Sequence, residues 1–257
     1  MPLLRRSRKR SLLLAVGLLT AAIAAAKTPE TLVVTDRFDT APDFVPPTAD
    51  APCPYFLLTG SELALGTSVA GQKQPPAKAI AALVADALRS QHYVPTTVGG
   101  PAPELVIVFH WGNANLELDE WEETDPNTGE SETQSIARNT PSIARLIGLD
   151  RLQERSLSLA EEHRLATILS EDRLYLVIGA LDATALANGQ RRLVWRTWIS
   201  IPALRHNLTR DLPAMLAHAA PHLGRESDAP LIFTRGEAAT EVEVGTPTVV
   251  PDAEPNR

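Results

Sequence analysis

The sequence predicts an α+β fold, a two-layer sandwich with helices packed on one face of a mixed, mainly antiparallel sheet. Runs of strand length and strand composition occur at residues 105–109, 173–182 and 192–201. Apolar residues three and four positions apart, the period of a helix, occur at residues 76–91 and 207–223. A sheet and amphipathic helices bury their apolar surfaces against each other, so these elements predict one layer of each.

The first 26 residues have the pattern of a secretory signal peptide. Five basic residues lie at positions 5–10, and an uncharged apolar stretch at residues 11–26 ends in three alanines. Basic start, short apolar core and small residues before the cleavage point are the parts of such a signal. The pattern predicts a periplasmic or secreted protein, with cleavage near Ala26. An uncleaved segment would instead make an inner-membrane anchor.

The composition argues against several classes of protein. Lys and Arg number 24 against 31 Asp and Glu, a formal charge of −7. Removing residues 1–26 takes away five basic residues and no acidic one, which makes the charge −12. Nucleic acid and anionic lipid attract basic proteins, so neither is expected as a partner; a membrane is expected only if the signal segment is uncleaved. The single cysteine, Cys53, excludes a disulfide framework and a cysteine-based zinc site.

Residues 27–53 are interpreted as a proline-rich linker, and residues 54–235 as a single α+β domain. Eight of the 21 prolines lie in residues 28–77, a density that disfavours helices and central strands. Only residues 32–35 and 55–59 of this segment have strand composition, and the second run is the better strand. The helix beginning after Pro75-Pro76 and the buried central strand at residues 105–109 then open the domain proper.

An acidic stretch follows the central strand. Residues 113–132 contain eight acids and no Lys or Arg, which predicts an exposed loop or an irregular hairpin with its turn at residues 125–129. A helical insertion around residues 136–170 is predicted as two helices divided near Gly148. The acids could supply oxygen ligands to calcium, but Gly129 comes one place early for an EF-hand loop, so they are interpreted as a solvated charge run.

Further strand and helix patterns occur in the C-terminal part of the chain. The β-rich runs at 173–182 and 192–201 flank Asn188-Gly189, a dipeptide typical of hairpin turns. Asn207 is expected to cap the last helix, and residues 231–233 make a final strand. The tail at residues 236–257 is rich in Pro, Thr and acids and is expected to be disordered.

The order of elements from Ala77 to Leu223 resembles a family of uncharacterised bacterial envelope proteins, many of them lipoproteins, known only as a domain of unknown function. The matching segments are Ala77–Ser90, His92-Tyr93, Pro103–Val108, Leu174–Ala183 and the Trp-Arg hairpin end Leu193–Arg196. The chain departs from the family in lacking a lipid-bearing cysteine, in having Glu104 where Asp is usual, and in its helical insertion. The resemblance implies an envelope location and supplies no catalytic residues.

No catalytic or metal-binding motif is recognisable. His218 and His222 have helical i, i+4 spacing, but no zincin-type Glu follows, so they are interpreted as surface histidines near a helix end. His110 is interpreted as a polar residue at a strand end. Ser61 lacks the glycine that a nucleophile elbow requires two residues later, and no phosphate-binding glycine motif occurs. No metal or cofactor is expected.

These observations predict an exported, non-enzymatic cell-envelope protein, a binding or accessory module of unknown ligand. Its partner would be an envelope protein or another component of the envelope, contacted by sheet-edge pairing or an exposed face. Trp198 and Trp111 are the candidate partner-binding surface, although the simpler interpretation of the strand at 192–201 has both of its tryptophans, Trp195 and Trp198, buried by helices and loops. The alternative is a periplasmic hydrolase or metal-dependent enzyme that uses His110 and acids of residues 117–132.

Overall fold

The computed structural model describes residues 30–38, 43–66, 74–97, 99–124, 131–152 and 158–234. The strands in this part are β1 (Glu30–Arg37), β2 (Cys53–Leu57), β3 (Ser61–Glu62), β4 (Tyr93–Pro95), β5 (Leu105–Ala114), β6 (Leu118–Thr124), β7 (Ser131–Ala137), β8 (Arg173–Asp182), β9 (Leu193–Pro202) and β10 (Leu231–Thr234). The α-helices are α1 (Ala77–Ser90), α2 (Thr140–Ile147), α3 (Leu159–Leu169), α4 (Ala183–Ala187) and α5 (Leu208–Ala219). The predicted signal peptide, the turn at 125–129 and the tail at 236–257 lie outside the described residues.

Eight strands form one sheet, in the order β10-β1-β9-β8-β5-β2-β4, with β3 beside β5. The four pairings from β10 to β5 are antiparallel, whereas β2 runs parallel to both β4 and β5 and β3 parallel to β5. The predicted α+β class and mixed, mainly antiparallel sheet are therefore confirmed. The predicted central strand is also confirmed, and it is longer than its apolar run because β5 continues through His110 to Ala114.

Strand β1 corrects the interpretation of residues 27–53 as a linker. It lies inside the sheet between β9 and β10, and Leu32, Val33 and Val34 are buried. The prolines of this segment lie before and after the strand, at Pro29 and from Pro42 onward, so none interrupts its hydrogen bonds. The sheet therefore begins well before residue 54.

Helices α1 and α5 lie together on one face of the sheet, as the two-layer prediction requires. Alternate residues of β8 point to opposite faces, so Leu174, Leu176 and Ile178 belong to the core beneath α1 and α5. Tyr175 and Val177 belong to a second core, which α2, α3 and a 3₁₀ turn at Leu149–Leu152 cover on the other face. The predicted helical insertion thus adds a third layer over part of the sheet.

The connection between β8 and β9 differs from the predicted two-residue hairpin turn. The short helix α4 lies between the strands, and the Asp182 side chain caps it by accepting a hydrogen bond from the Ala185 N–H at 2.7 Å. Asn188 has φ −89° and Gly189 has φ 75°. A type I′ turn needs positive φ at both residues, so this pair ends α4 instead. Asn207 does cap α5, as predicted, by accepting from the Thr209 N–H.

Candidate functional site

The two tryptophans predicted as a contact surface are buried. Trp111 is 4% exposed and stacks on Phe109, with ring centroids 5.8 Å apart. Trp198 is 3% exposed, and its ring lies so close to Gly148 at the end of α2 that a Cβ there would be 2.7 Å from it. The insertion covers Trp198, and β5 carries Trp111 into the core beneath α1 and α5, so neither ring can meet a partner in this structure.

The structure does not bring the proposed enzymatic residues together. His110 is half-buried on β5, with its ring 5.9 Å from that of Tyr175. Burial, helped by the charge of Arg196, lowers the pKa of His110, which favours its neutral form. Ser61 lies opposite His110 in the β3–β5 pairing, yet no hydrogen bond joins them within the described residues. Among all the residues that the structure describes, no three His, Cys, Asp or Glu side chains form a group that could hold a metal ion.

His218 and His222, at the end of α5 and in the turn after it, pack against the last strand, β10, rather than lying free on the surface. The His218 ring stacks on Phe233 with centroids 4.8 Å apart, and its Nδ1 lies 3.1 Å from the Thr31 hydroxyl. His222 approaches the same phenylalanine at 5.9 Å. Burial lowers the pKa of both histidines, so the neutral rings that pack against an apolar side chain are favoured. Their role in the described structure is packing.

Cys53 is buried, as expected for a thiol that packs as a small apolar group. Its Sγ lies 3.7 Å from Oε2 of Glu104. Burial first, and then the charge of and hydrogen bond to Glu104, raise the pKa of the thiol to about 12. The thiol therefore stays protonated at neutral pH, and the protonated form is a poor nucleophile.

Strands β6 and β7 form a separate two-stranded sheet, which we call the arm (residues 118–124 and 131–137). Within the described residues they pair with each other and with no strand of the main sheet. The acidic stretch therefore forms the hairpin that was one of its two predicted structures. Most side chains of the arm are exposed, including all of its described acids: Asp119, Glu120, Glu122, Glu123 and Glu132.

The two faces of the arm differ in chemistry. Successive residues of a strand point to opposite faces, so Glu120 and Glu122 share one face while Asp119 and Trp121 share the other. Ile136 pairs with Asp119, which places it diagonally next to Trp121 on that second face. Trp121 is 47% exposed and Ile136 59% exposed. One face thus has two acids and the exposed Leu118, and the other has Trp121 and Ile136 beside three acids, Asp119, Glu123 and Glu132.

The base of the arm is held by side-chain hydrogen bonds although its strands are not covered. Asn139 is buried; its Oδ1 accepts from the Glu117 N–H at 2.9 Å, and its Nδ2 donates to the Asn115 carbonyl at 2.8 Å. The Asp172 carboxylate accepts from the Leu116 N–H at 2.7 Å. These bonds tie the start of β6 and the end of β7 to the strands of the main sheet, so the direction in which the arm leaves the domain is fixed.

The arm also has the longest exposed strand edges in the described part of the chain. The main sheet ends in β4, three residues that include Pro95, and in β10, four residues. Short edges and proline protect a sheet against adding a further strand. The arm strands have seven residues each, and among the described residues no further strand pairs with the outer edge of either over about 24 Å.

A second exposed apolar area lies at the β4 end of the main sheet. Tyr55 and Tyr93 point into the core beneath α1 and α5, so the next residues, Phe56 and Val94, point to the opposite face. Phe56 is 49% exposed, and the neighbouring Leu58 is also exposed. None of the helices in the described residues covers this part of the sheet, which makes it a useful comparison for the arm.

Sequence reasoning missed Trp121, Ile136 and Asn139. A usable signal existed for the first: Trp121 is an aromatic residue inside a run of acids with no Lys or Arg, where a core residue is not expected. Asn139 had no local signal, because its importance comes from bonds to Glu117 and Asn115, which are distant in sequence.

Comparisons with known proteins leave the family open. No family model and no curated protein matches the chain. It is similar to a PDZ domain protein from Parabacteroides distasonis, with 10% identity, a TM-score of 0.36 and 80% of this chain covered; the match spans 39% of that protein. It is also similar to a variant of PelC from Paraburkholderia phytofirmans, a dodecamer, with 11% identity, a TM-score of 0.34, and 76% of this chain and 99% of that chain covered. At these values neither likeness indicates a function, and the resemblance to an envelope family stays a prediction.

No described helix combines the length and the apolar character needed to cross a bilayer.

Proposed function

We propose that the protein is an exported, non-enzymatic binding or accessory module of the cell envelope, and that the arm contacts its partner. The observation behind this proposal is a separate two-stranded sheet that exposes Trp121 and Ile136 side by side on a fixed base. A two-stranded hairpin alone is only marginally stable in water. Adjacent exposed apolar side chains, with an aromatic among them, are characteristic of contact surfaces.

The fixed base supports a role in binding rather than a role as a loose connection. A chain that merely joined β5 to α2 would need few residues, yet this one extends outward as seven paired positions and returns. Because Asn139 and Asp172 hold the start and the end of the arm, less conformational freedom is lost when a partner binds. The arm therefore favours association, because little conformational entropy is lost when a partner binds.

Export is supported by the N-terminal sequence pattern and agrees with the position of β1. Cleavage near Ala26 would leave residues 27–29 ahead of the first strand. Because β1 is an inner strand, the mature protein would begin almost directly in the sheet. An uncleaved segment would hold the domain close to the inner membrane by the same short connection.

The enzymatic alternative has less support. The His110 ring lies against Tyr175 and its pKa is lowered by burial and the charge of Arg196, while the acids of the arm face solvent. A hydrolase needs its nucleophile and base within hydrogen-bond reach, and Ser61 and His110 are not bonded although they are paired across strands. The binding proposal uses exposed residues that the fold itself does not need.

Affinity capture from an envelope extract tests the proposal. The bait is the mature protein, and the variant replaces Trp121 and Ile136 with serine. The control is Phe56→Ser, which removes an equally exposed aromatic from the main sheet. We expect the wild type and the control to retain the same protein and the arm variant to lose it at least tenfold. Equal capture by the arm variant, with its fold intact by circular dichroism, would contradict the proposal.

A further inference from the structure

We infer that the arm binds a cationic, extended protein segment, which adds to the free edge of β6 as a third strand. This inference rests on the proposed function and names the chemistry of the partner. No other strand of the described residues pairs with the outer edge of β6, and addition of a strand to such an edge is a common mode of peptide recognition. The side chains of β6 then determine which segment is accepted.

The charge of the arm selects a cationic partner. Four of the seven residues of β6 are acidic, whereas β7 has one acid among Ser, Thr and Gln, so β6 is the edge with the strong preference. Opposite charges on neighbouring strands stabilise their pairing, and like charges directly opposite destabilise it. A second copy of β6 would place acid against acid. An anionic lipid surface is repelled for the same reason.

The alternation of β6 predicts the order of side chains in the partner. Glu120 and Glu122 project from one face, and Trp121, between them, projects from the other. A segment in register would place cationic residues beside the two glutamates and an apolar residue beside Trp121, whose own face also has Asp119 and Glu123. The predicted recognition unit is therefore cationic–apolar–cationic in an extended segment. The Trp121 ring can also accept a cation over its face.

Trp121 provides a direct signal for binding at the arm. The chain has four tryptophans; Trp111, Trp195 and Trp198 are buried and Trp121 is exposed. A change in tryptophan emission towards shorter wavelength on adding a peptide therefore reports the loss of water around Trp121.

The test titrates the mature protein with three ten-residue peptides. One alternates Lys and Val, one alternates Glu and Val, and one has five Lys followed by five Val. We expect the Lys–Val alternating peptide to shift the emission saturably, the Glu–Val peptide to have no effect, and the block peptide to bind at least tenfold more weakly. The block peptide has the same charge, so this difference separates strand pairing from general attraction to an acidic protein.

Charge reversal within the arm is the second part of the test. The variant Glu120→Lys with Glu122→Lys should weaken binding of the alternating Lys–Val peptide at least tenfold. The control, Asp50→Lys with Glu162→Lys, makes the same change of charge at exposed positions outside the arm and should leave binding within twofold. Equal thermal unfolding midpoints for the two variants exclude a folding defect.

Three results would overturn the inference. They are an equal response to the alternating and block peptides, an emission shift with phosphatidylglycerol vesicles instead of the peptide, and self-association that the arm variant abolishes in sedimentation. The proposed function would survive any of them if the serine variant of Trp121 and Ile136 still lost its envelope partner. If the alternating Lys–Val peptide gives no emission shift, and the serine variant of Trp121 and Ile136 still captures the envelope partner, both the inference and the proposed function are rejected.

Discussion

The main sheet and the arm both consist of paired strands, and they differ in what covers their faces. Every residue of β8 from Arg173 to Ala180 is buried, because helices cover the sheet there on both faces. In β6 the described side chains are exposed, and most of them are acidic. The difference shows that pairing alone does not make a strand part of the core. Covered faces stabilise the sheet, and uncovered faces leave the arm free to contact a partner.

The energetics of burial predict different effects for substitutions in the two regions. Complete burial of a large apolar side chain contributes about 1.5–3 kcal/mol. Many buried side chains on the two faces of the main sheet each make this contribution. Trp121 and Ile136, which are about half exposed, make only part of it. Changes in the main sheet should therefore alter stability, and changes in the arm should alter binding.

The largest effect is expected from Trp195→Ala. The ring is 0% exposed and lies 5.9 Å from that of Tyr93 beneath α1 and α5. Its removal leaves a cavity and should lower the free energy of unfolding by about 3–5 kcal/mol. Urea denaturation followed by circular dichroism measures this loss. A loss below about 1 kcal/mol would show that the main sheet does not carry the stability assigned to it.

Asp211 should give the next largest effect, and one that depends on pH. It accepts hydrogen bonds from Arg210 at 2.8 Å and from the Asn207 N–H at 2.9 Å, and His206 Nδ1 lies 3.0 Å away. Burial raises the pKa of Asp211, but these hydrogen bonds and the charge of Arg210 outweigh burial and hold the pKa well below its usual range. The carboxylate therefore stabilises the folded state above the unfolded pKa of about 3.9.

The variant Asp211→Asn tests this. At pH 7 we expect it to be about 1.5–3 kcal/mol less stable than the wild type, because hydrogen bonds to a charged group are lost. As the pH falls below about 3.9 towards the folded-state pKa, the wild type loses its advantage and the difference should shrink. Urea denaturation at several pH values between about 2 and 7 measures it. A difference that stayed constant over this whole range would contradict the assignment.

A smaller effect is expected at the junction of the two regions. Asn139→Ala leaves the Glu117 N–H and the Asn115 carbonyl without this partner, at a cost of about 1–3 kcal/mol. Asn139→Asp keeps the acceptor but sets a buried carboxylate oxygen against the Asn115 carbonyl, so it should cost at least as much. Hydrogen exchange should show the arm loosened in both variants, in the same order. An arm as well protected as in the wild type would mean that Asn139 does not hold its base.

The smallest effect on stability is expected from Trp121→Ser. A substitution at an exposed position usually changes the free energy of unfolding by no more than about 0.5 kcal/mol. Comparison with Phe56→Ser under the same urea conditions controls for loss of an exposed aromatic. A cost above about 2 kcal/mol would place the arm in the folding core and remove the contrast with the main sheet.

Local patterns were enough to predict the elements whose apolar residues follow a clear pattern along the chain. Helices α1 and α5 were predicted because their apolar residues repeat at helical spacing, and strand β5 because its apolar run is continuous and of strand length. The strand composition of residues 32–35 was recognised, but β1 was assigned to a linker because this short β-branched run lies among prolines. The misplaced contact surface at Trp198 has a different cause. Burial of that ring depends on which face the insertion covers, and chain order alone does not specify a face.

The arm was half predicted for a related reason. Its acids and lack of cations indicated exposure, and a hairpin was one of the two structures considered. Its separation from the main sheet had no local signal, because it depends on pairings made by β2, β3 and β8 with β5. Those pairings occupy both edges of β5 and leave β6 and β7 to pair with each other.

Amide hydrogen exchange, with and without the alternating Lys–Val peptide, tests the central claim most directly. Strands β5 and β8 are expected to be strongly protected in the free protein, because their opening requires global unfolding, and β6 and β7 to exchange quickly. Adding the peptide should slow exchange in β6 most, to a smaller extent in β7, and leave β5 and β8 unchanged. An arm as protected as β5 in the free protein, or an arm unaffected by the peptide, would contradict the account.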